Sequence, residues 1–164
     1  MSPYEILLIL VVSLAPFIEV RGSVPLAYVM EPTDGAARAM LLAAALVGNL
    51  IIAPMIMPLL DRLEAILLKS KGVPVIGPVA RLYDWAVGGV RRRIPDYVRR
   101  YGHLGLALFV AVPIPGSGAW SGTLIAHVLG IKGLKAIIAI EAGVVIAFAL
   151  LVAAMEGLLS VIPR

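Results

Sequence analysis

The sequence predicts an all-α integral membrane protein, an inverted repeat of two re-entrant helical hairpins and two full transmembrane helices, with a basic amphipathic surface helix between the halves. Three observations favour this fold class. Of the 164 residues, 61% are hydrophobic and only 15% are charged, whereas soluble domains carry about 45–50% apolar and about 25% charged residues. A soluble domain this small could not bury so much apolar surface. The apolar residues also form long uncharged runs, and proline and glycine interrupt those runs in both halves. Residues 1–164 are therefore interpreted as one multi-pass domain in the cell membrane.

The first repeat covers residues 1–60, with a hairpin predicted over residues 4–30 and a full span over residues 36–60. The apolar run 6–18 leads into a polar segment, residues 19–25, where we expect the hairpin to turn. A conventional span over residues 4–25 is the alternative. Residues 39–60 carry no charge. As a helix they would measure roughly 33 Å, enough to cross a hydrocarbon core of about 30 Å.

Residues 61–101 form a basic segment with nine Lys or Arg and four acidic residues. Apolar residues recur every three or four positions from Val79 to Tyr101, which is typical of an amphipathic helix on a membrane surface. We expect Gly88, Gly89 and Pro95 to break or kink this helix. The positive-inside rule places the segment in the cytoplasm.

The second repeat covers residues 102–158, with a hairpin predicted over residues 102–131 and a span over residues 136–154. Residues 113–118 contain two prolines and two glycines, and proline lacks the N–H group that an α-helix requires. The arm before them is about 16 Å long, which reaches half way across a membrane. A hairpin and one span change sides once, so the second repeat would enter from the opposite face. Many transporters have this plan, and their paired Gly/Pro breaks mark the substrate site.

Glu19 and Arg21 are the principal candidates for a functional site. Charges at membrane depth are costly and usually face a cavity or each other. A desolvated Glu19 could take up and release a proton, and Arg21 could hold a phosphate through two parallel hydrogen bonds. The alternative is a structural ion pair at a shallow hairpin tip.

The backbone after Gly116 is the second candidate, because helix N-termini favour anions and residues 117–120 would begin the returning arm. The alternative is that these glycines only let the hairpin tips pack closely. Glu141 could relay protons or extend towards the membrane surface. We expect Asn49 to make a helix–helix hydrogen bond, and His103 and His127 to be interfacial or packing residues.

Several function classes are disfavoured. Cysteine is absent and the two histidines lie far apart, so neither a metal centre nor a cofactor is expected. The sequence has no Ser/His/Asp constellation and no paired carboxylates, so we do not expect an enzyme. The basic residues report orientation and lipid contact, and no nucleic-acid-binding motif accompanies them.

Three motifs resemble the small multi-drug export membrane protein family, which is distantly related to the DedA/VTT superfamily. They are Glu19, Arg21, Gly22 and Pro25 in residues 19–26, then residues 101–103, then the proline–glycine segment 113–122. The resemblance implies two re-entrant hairpins that meet at mid-membrane, and the movement of polyprenyl-phosphate or phospholipid head groups, often linked to protons. DedA-type second hairpins usually carry an arginine beside the prolines; residues 111–115 carry none, and Arg21 could replace it. The candidate substrate- or proton-binding residues are Glu19, Arg21, Gly22, Pro25, Pro113, Pro115, Gly116, Ser117, Gly118, Trp120 and Glu141.

The leading functional hypothesis is a transporter or scramblase-like protein for an anionic lipid, such as a polyprenyl-phosphate, or for a small amphiphile, with proton coupling. Membrane lipids and protons are the expected partners, and a homo-oligomer is left open. One alternative is a proton-coupled drug exporter, although Arg21 would repel a cationic drug. A second alternative is a membrane scaffold that transports nothing.

The predicted topology can be tested by cysteine labelling, because the chain has no native cysteine. With the basic segment in the cytoplasm, Ser2→Cys and Ile162→Cys should react with an impermeant reagent from outside the cell, and Ser70→Cys only from inside. The cysteine-free chain is the control. Labelling of positions 2 and 70 from the same side would contradict the hairpin and favour a conventional span over residues 4–25.

Overall fold

The computed structural model describes residues 2–31, 33–69, 85, 88–92 and 94–161. These residues form helices and no strand, so the predicted all-α class is confirmed. The helices are α1 (Pro3–Leu14), α2 (Glu19–Met30), α3 (Gly35–Leu50), α4 (Ile52–Lys69), α5 (Asp96–Tyr101), α6 (His103–Ala111), α7 (Ala119–Val128) and α8 (Leu134–Val161). Much of the predicted surface helix, at residues 70–84, 86–87 and 93, lies outside the described residues.

Two apolar helices are long enough to cross a membrane. α3 and α4 follow one another across a turn at Ile51 and give the 32-residue apolar stretch Gly35–Ile66, and α8 contains the 27-residue stretch Leu134–Ser160. Both exceed the predicted spans, 36–60 and 136–154. Residues 61–69, which the sequence assigned to the basic segment, continue α4. Residues 59–69 contain neither proline nor glycine, so nothing in this stretch ends the helix.

The first helix break lies earlier than the sequence pattern indicated. α1 ends at Leu14 and α2 begins at Glu19, so Gly22 and Pro25 are helical and do not form the turn. Pro16 explains the shift, because a residue that precedes proline avoids the helical conformation, and Ala15 is extended (φ −67°, ψ 130°).

The second break lies where it was predicted. α6 ends at Ala111 and α7 begins at Ala119. Gly116 has a φ of 87° within this break, a conformation that glycine adopts without the steric cost of a Cβ atom. In the basic segment, Pro95 immediately precedes α5, and Gly88 and Gly89 are helical.

The two halves pack in the same manner. α1 packs on α3, and α6 packs on α8, and a tightly packed glycine lies at each contact. A Cβ atom at Gly48 would overlap with Ser13 Oγ of α1, and one at Gly143 would lie 2.6 Å from the carbonyl oxygen of Ala107 in α6. Across the halves, α2 packs on α8 and α7 packs on α4. The returning arm of each half therefore contacts the long helix of the other.

The α6–α8 contact yields a stability prediction. Gly143→Ala should lower the free energy of unfolding by about 1–3 kcal/mol, the cost of overpacking a tight contact, because the backbone of α6 must move. Gly157→Ala is the matched control on the same helix, since no described atom beyond its own helix turn lies within 4 Å of its Cβ position. Denaturant titration in detergent micelles, followed by circular dichroism, gives both values. Equal stability of the two variants would contradict the close approach.

Candidate functional site

A buried ion pair lies at the start of α2. Arg21 Nη1 donates a hydrogen bond of 2.9 Å to Glu19 Oε2, and the two side chains are only 9% and 3% exposed. Side chains two positions apart do not face each other on a regular helix. Glu19 departs from regular helix geometry with a φ of 52°, which is consistent with its reaching Arg21. The turn before α2 thus brings the two charges together.

Glu19 also binds the N-terminus of α7. The backbone N–H groups of Ala119 and Trp120 donate to its carboxylate oxygens at 3.2 and 3.0 Å. Such N–H groups have no partner within their own helix, and the helix dipole favours a negative charge beside them. The sequence suggested that these donors would hold an anionic head group. In the structure they hold the carboxylate of Glu19.

Arg21 binds the opposite end of the same break. Its Nη2 atom donates to the carbonyl oxygens of Val110 and Val112 at 3.1 and 2.9 Å and to Ser117 Oγ at 2.9 Å. Val110 belongs to the last turn of α6, where the helix dipole favours a cation. The ion pair therefore lies with its negative charge on the N-terminus of α7 and its positive charge on the C-terminus of α6.

Two residues of the second break allow this approach. A Cβ atom at Gly118 would overlap with Glu19 Oε2, so a side chain at this position would displace the carboxylate. The Ser117 hydroxyl lies 2.6 Å from the carbonyl oxygen of Val112 and 2.8 Å from that of Ile114, which holds the loop in a tight turn beneath Arg21. Gly118, which lies against Glu19, and Ser117, which binds Arg21, are therefore part of the site.

The end of α1 is bound by residues from elsewhere in the chain. Asn49 Nδ2 of α3 donates to the carbonyl oxygen of Ser13 at 3.1 Å, and Trp120 Nε1 of α7 donates to that of Leu14 at 3.0 Å. These are C-terminal carbonyl groups that lack a partner within α1. Asn49 makes the helix–helix hydrogen bond that was expected. Trp120 connects both breaks, because its backbone binds Glu19 and its indole binds α1.

The remaining candidates lie apart from the ion pair. Gly22 faces Ile18, Pro25 lies one turn beyond Arg21, and Pro113 and Pro115 are exposed in the second break. Among the described residues, none of these four hydrogen-bonds with the pair. Glu141 lies two turns into α8, and both carboxylate oxygens are buried with no hydrogen-bond partner among the described residues. Its carboxylate therefore does not extend to the surface.

An apolar cavity of about 390 Å³ lies beside the two breaks. Gly116 and Ser121 belong to its lining, and they are sequence neighbours of Ser117 and Trp120, which bind the ion pair. The lining residues are Phe17, Val90, Phe109, Gly116, Ser121, Leu124 and Ile125. The volume is within the range of small-molecule pockets.

A second polar cluster, which the sequence did not reveal, joins α4 to the end of α7. His127 Nδ1 lies 3.1 Å from Asp61 Oδ1, and its Nε2 lies 3.9 Å from Glu64 Oε2. Asp61 and Glu64 are three apart on α4 and so share a face, but no sequence pattern connects them to His127. These residue types can ligate metals. Lys132 places its ammonium group 2.8 Å from Glu64 and 3.3 Å from Asp61, so one cation already pairs with both carboxylates.

The family described as "Putative small multi-drug export protein" matches residues 19–150 of this 164-residue chain. The matched region starts at Glu19 and contains both members of the ion pair and the whole second break. Curated proteins and solved structures yield no match to the chain. The family match and the two apolar helices point to a membrane location.

Proposed function

Because the chain belongs to the family of small multi-drug export proteins, we propose that it is a membrane transporter that moves small amphiphilic molecules and couples this movement to protons. The observation that carries the proposal is the buried Glu19–Arg21 pair, which binds both ends of a broken helix. Charged groups in this setting typically mark a substrate or proton pathway. The proposal includes no enzymatic step, cofactor or metal ion.

The architecture we propose is an inverted repeat with two re-entrant hairpins, α1–α2 and α6–α7, and with the basic segment in the cytoplasm. The reciprocal packing supports it, since α2 contacts α8 and α7 contacts α4, as two halves related by a twofold axis would do. The α1–α3 and α6–α8 contacts also resemble each other, because each contains a glycine where a Cβ atom would overlap with the facing helix. A distant relationship to the DedA/VTT superfamily is part of this proposal.

Protonation of Glu19 is the proposed coupling step. The ionised carboxylate holds Arg21 and the N-terminus of α7 at the same time. A proton on Glu19 removes its charge and weakens both contacts, which leaves the guanidinium and the helix N-terminus without a counterion. An anionic group can then bind in place of the carboxylate. Proton uptake and binding of an anionic head group would thus favour each other.

Glu141 is the alternative proton carrier, because its buried carboxylate lacks a partner among the described residues.

The proposed substrate carries an anionic head and an apolar body. The cavity lined by Phe17 and Phe109 offers apolar surface beside the ion pair. Arg21 Nη1 lies 2.9 Å from the Glu19 carboxylate. A cationic drug bound at Glu19 would therefore be repelled by the guanidinium group. A lipid with an anionic head group would match both the cation at Arg21 and the apolar cavity. The movement of such a lipid, a polyprenyl-phosphate or a phospholipid, is therefore a second candidate function.

The coupling role of Glu19 can be tested with Glu19→Gln in proteoliposomes under an imposed pH gradient. Glutamine has nearly the same shape and can accept a hydrogen bond from Trp120, so the fold should persist while the response of transport to the gradient is lost. Transport of a fluorescent phospholipid analogue and of an anionic dye is measured, with Glu141→Gln as the matched control. Unchanged coupling in Glu19→Gln would contradict this role, and loss only in Glu141→Gln would assign it to α8.

The sign of the substrate charge can be tested at Arg21. Arg21→Lys keeps the charge but loses the planar two-pronged donor, so binding of an anionic amphiphile should weaken without vanishing. Arg21→Ala should lose about 2–3 kcal/mol of binding free energy, the scale of a hydrogen bond to a charged group. Equilibrium binding of a polyprenyl-phosphate, an anionic phospholipid and a cationic dye provides the measurement, with the exposed Arg100→Ala as control. Tighter binding of the cationic dye by Arg21→Ala would support a drug exporter. Equal binding of every ligand by all variants would contradict a substrate site at Arg21 and leave the hypothesis of a membrane scaffold that transports nothing.

A further inference from the structure

We propose that two polar clusters, one at each end of the long helices, are latches that close the central ion pair off from the two faces of the membrane and that open one at a time. The Tyr28 cluster consists of Tyr28, Arg38 and Glu156, and the His127 cluster consists of His127, Asp61, Glu64 and Lys132. This inference rests on the proposed transport function and adds to it the control of access to the site.

The Tyr28 cluster joins α2 to α8. The buried Tyr28 donates a hydrogen bond of 2.7 Å from its hydroxyl group to Glu156 Oε1 of α8. Arg38 of α3 places its guanidinium carbon 4.9 Å from the centre of the Tyr28 ring and its Nη2 atom 3.7 Å from Glu156 Oε1. Two helices of the first half and the long helix of the second half therefore meet in one polar contact.

The His127 cluster joins α7 to α4 by the same plan. His127 Nδ1 lies 3.1 Å from Asp61 Oδ1 of α4, and Lys132, just before α8, pairs with both Asp61 and Glu64. In each cluster, a side chain from the third turn of a returning arm contacts an acidic residue on the long helix of the other half. A basic residue near the start of the long helix that follows the arm, Arg38 or Lys132, completes each contact.

The two clusters lie at opposite ends of the long helices. Arg38 and Asp61 are separated by roughly 34 Å of helix along α3 and α4, and Glu156 lies roughly 33 Å from the start of α8. These lengths match a hydrocarbon core of about 30 Å. Glu19 begins α2, and its partner Ala119 begins α7, so the ion pair lies roughly 12–14 Å from each cluster along the arms. The ion pair is therefore between the two clusters.

This placement gives each cluster a role in access. A molecule that reaches the ion pair from one face must pass between a returning arm and the long helix of the other half, and their separation at that end breaks the cluster there. The other cluster stays intact and still joins the two halves. Transporters built from inverted repeats work by such alternating movements around a fixed site. Both clusters are intact in this structure, which corresponds to a state that is closed at both ends.

The latches can be tested through the accessibility of a single cysteine from each face of the membrane. Ser121 lines the cavity and follows Trp120, which binds Glu19, so Ser121→Cys in the cysteine-free chain reports access to the site. An impermeant maleimide is applied to right-side-out and to inside-out membrane vesicles. Tyr28→Phe removes the hydrogen bond to Glu156. It should raise the labelling rate about tenfold in one kind of vesicle only, on the scale of a lost hydrogen bond to a charged group.

His127→Phe should raise the labelling rate in the other kind of vesicle only, because it removes the contact with Asp61 at the opposite end. The matched controls are Tyr4→Phe and His103→Phe, which make the same changes at exposed positions and should leave the rate unchanged. An increase from the same face in Tyr28→Phe and His127→Phe, or an increase in neither, would overturn the proposal.

A second measurement locks each latch instead of opening it. Two cysteine pairs, Tyr28→Cys with Glu156→Cys and His127→Cys with Asp61→Cys, are each joined by a short bifunctional methanethiosulfonate reagent. Joining either pair should abolish transport of the fluorescent phospholipid analogue, and a reducing agent should restore it. The single-cysteine variants are the controls. Continued transport with a pair joined would overturn the latch at that end. A native chain that transports nothing, but whose Ser121→Cys labelling depends on the face as expected, would contradict the proposed function while supporting the latches.

Discussion

The hydrogen bonds between the Glu19–Arg21 pair and the second helix break hold the centre of this molecule together. A break inside an apolar bundle leaves peptide groups without partners, and an unpartnered buried peptide group is costly. An isolated buried charge costs still more. Here the charged side chains and the free peptide groups are partners for each other. Glu19 accepts hydrogen bonds from the N–H groups of Ala119 and Trp120, and Arg21 donates to the carbonyl oxygens of Val110 and Val112. The break and the charges therefore stabilise each other.

The same logic extends to the first half of the chain. The carbonyl groups at the end of α1 accept from Asn49 and from the Trp120 indole. Each half thus supplies partners for the interrupted helix of the other: Arg21 reaches forward to α6, and Trp120 reaches back to α1. Within each half, a glycine allows close helix packing: Gly48 of α3 against α1, and Gly143 of α8 against α6. Hydrogen bonds therefore join the two halves in both directions.

Composition and uncharged run length were sufficient to predict the helical class, the two long apolar helices and the second helix break. Proline and glycine are concentrated at residues 113–118, so the break there was evident. The first break was misplaced because the polar residues after Ile18 looked like a turn, whereas Pro16 ends α1. Pro25 is accommodated inside α2, since tertiary packing can override local preference. The distant partners of Arg21 were not predictable, because two of them are backbone carbonyl oxygens, which have no sequence pattern. His127 and Asp61, 66 positions apart, offered no pattern either.

The long sequence separation within the central site has a consequence for biosynthesis. Trp120 follows Glu19 by 101 residues, and ribosomes add about 5–20 residues per second. For roughly 5–20 s after Glu19 is made, the residues that will bind its carboxylate from α7 do not exist. During this time the charged pair at the start of α2 lacks the hydrogen-bond partners that α6 and α7 supply. These contacts form only after residues 110–120 have been synthesised, so a chain truncated before residue 119 would lack the two N–H donors that bind Glu19.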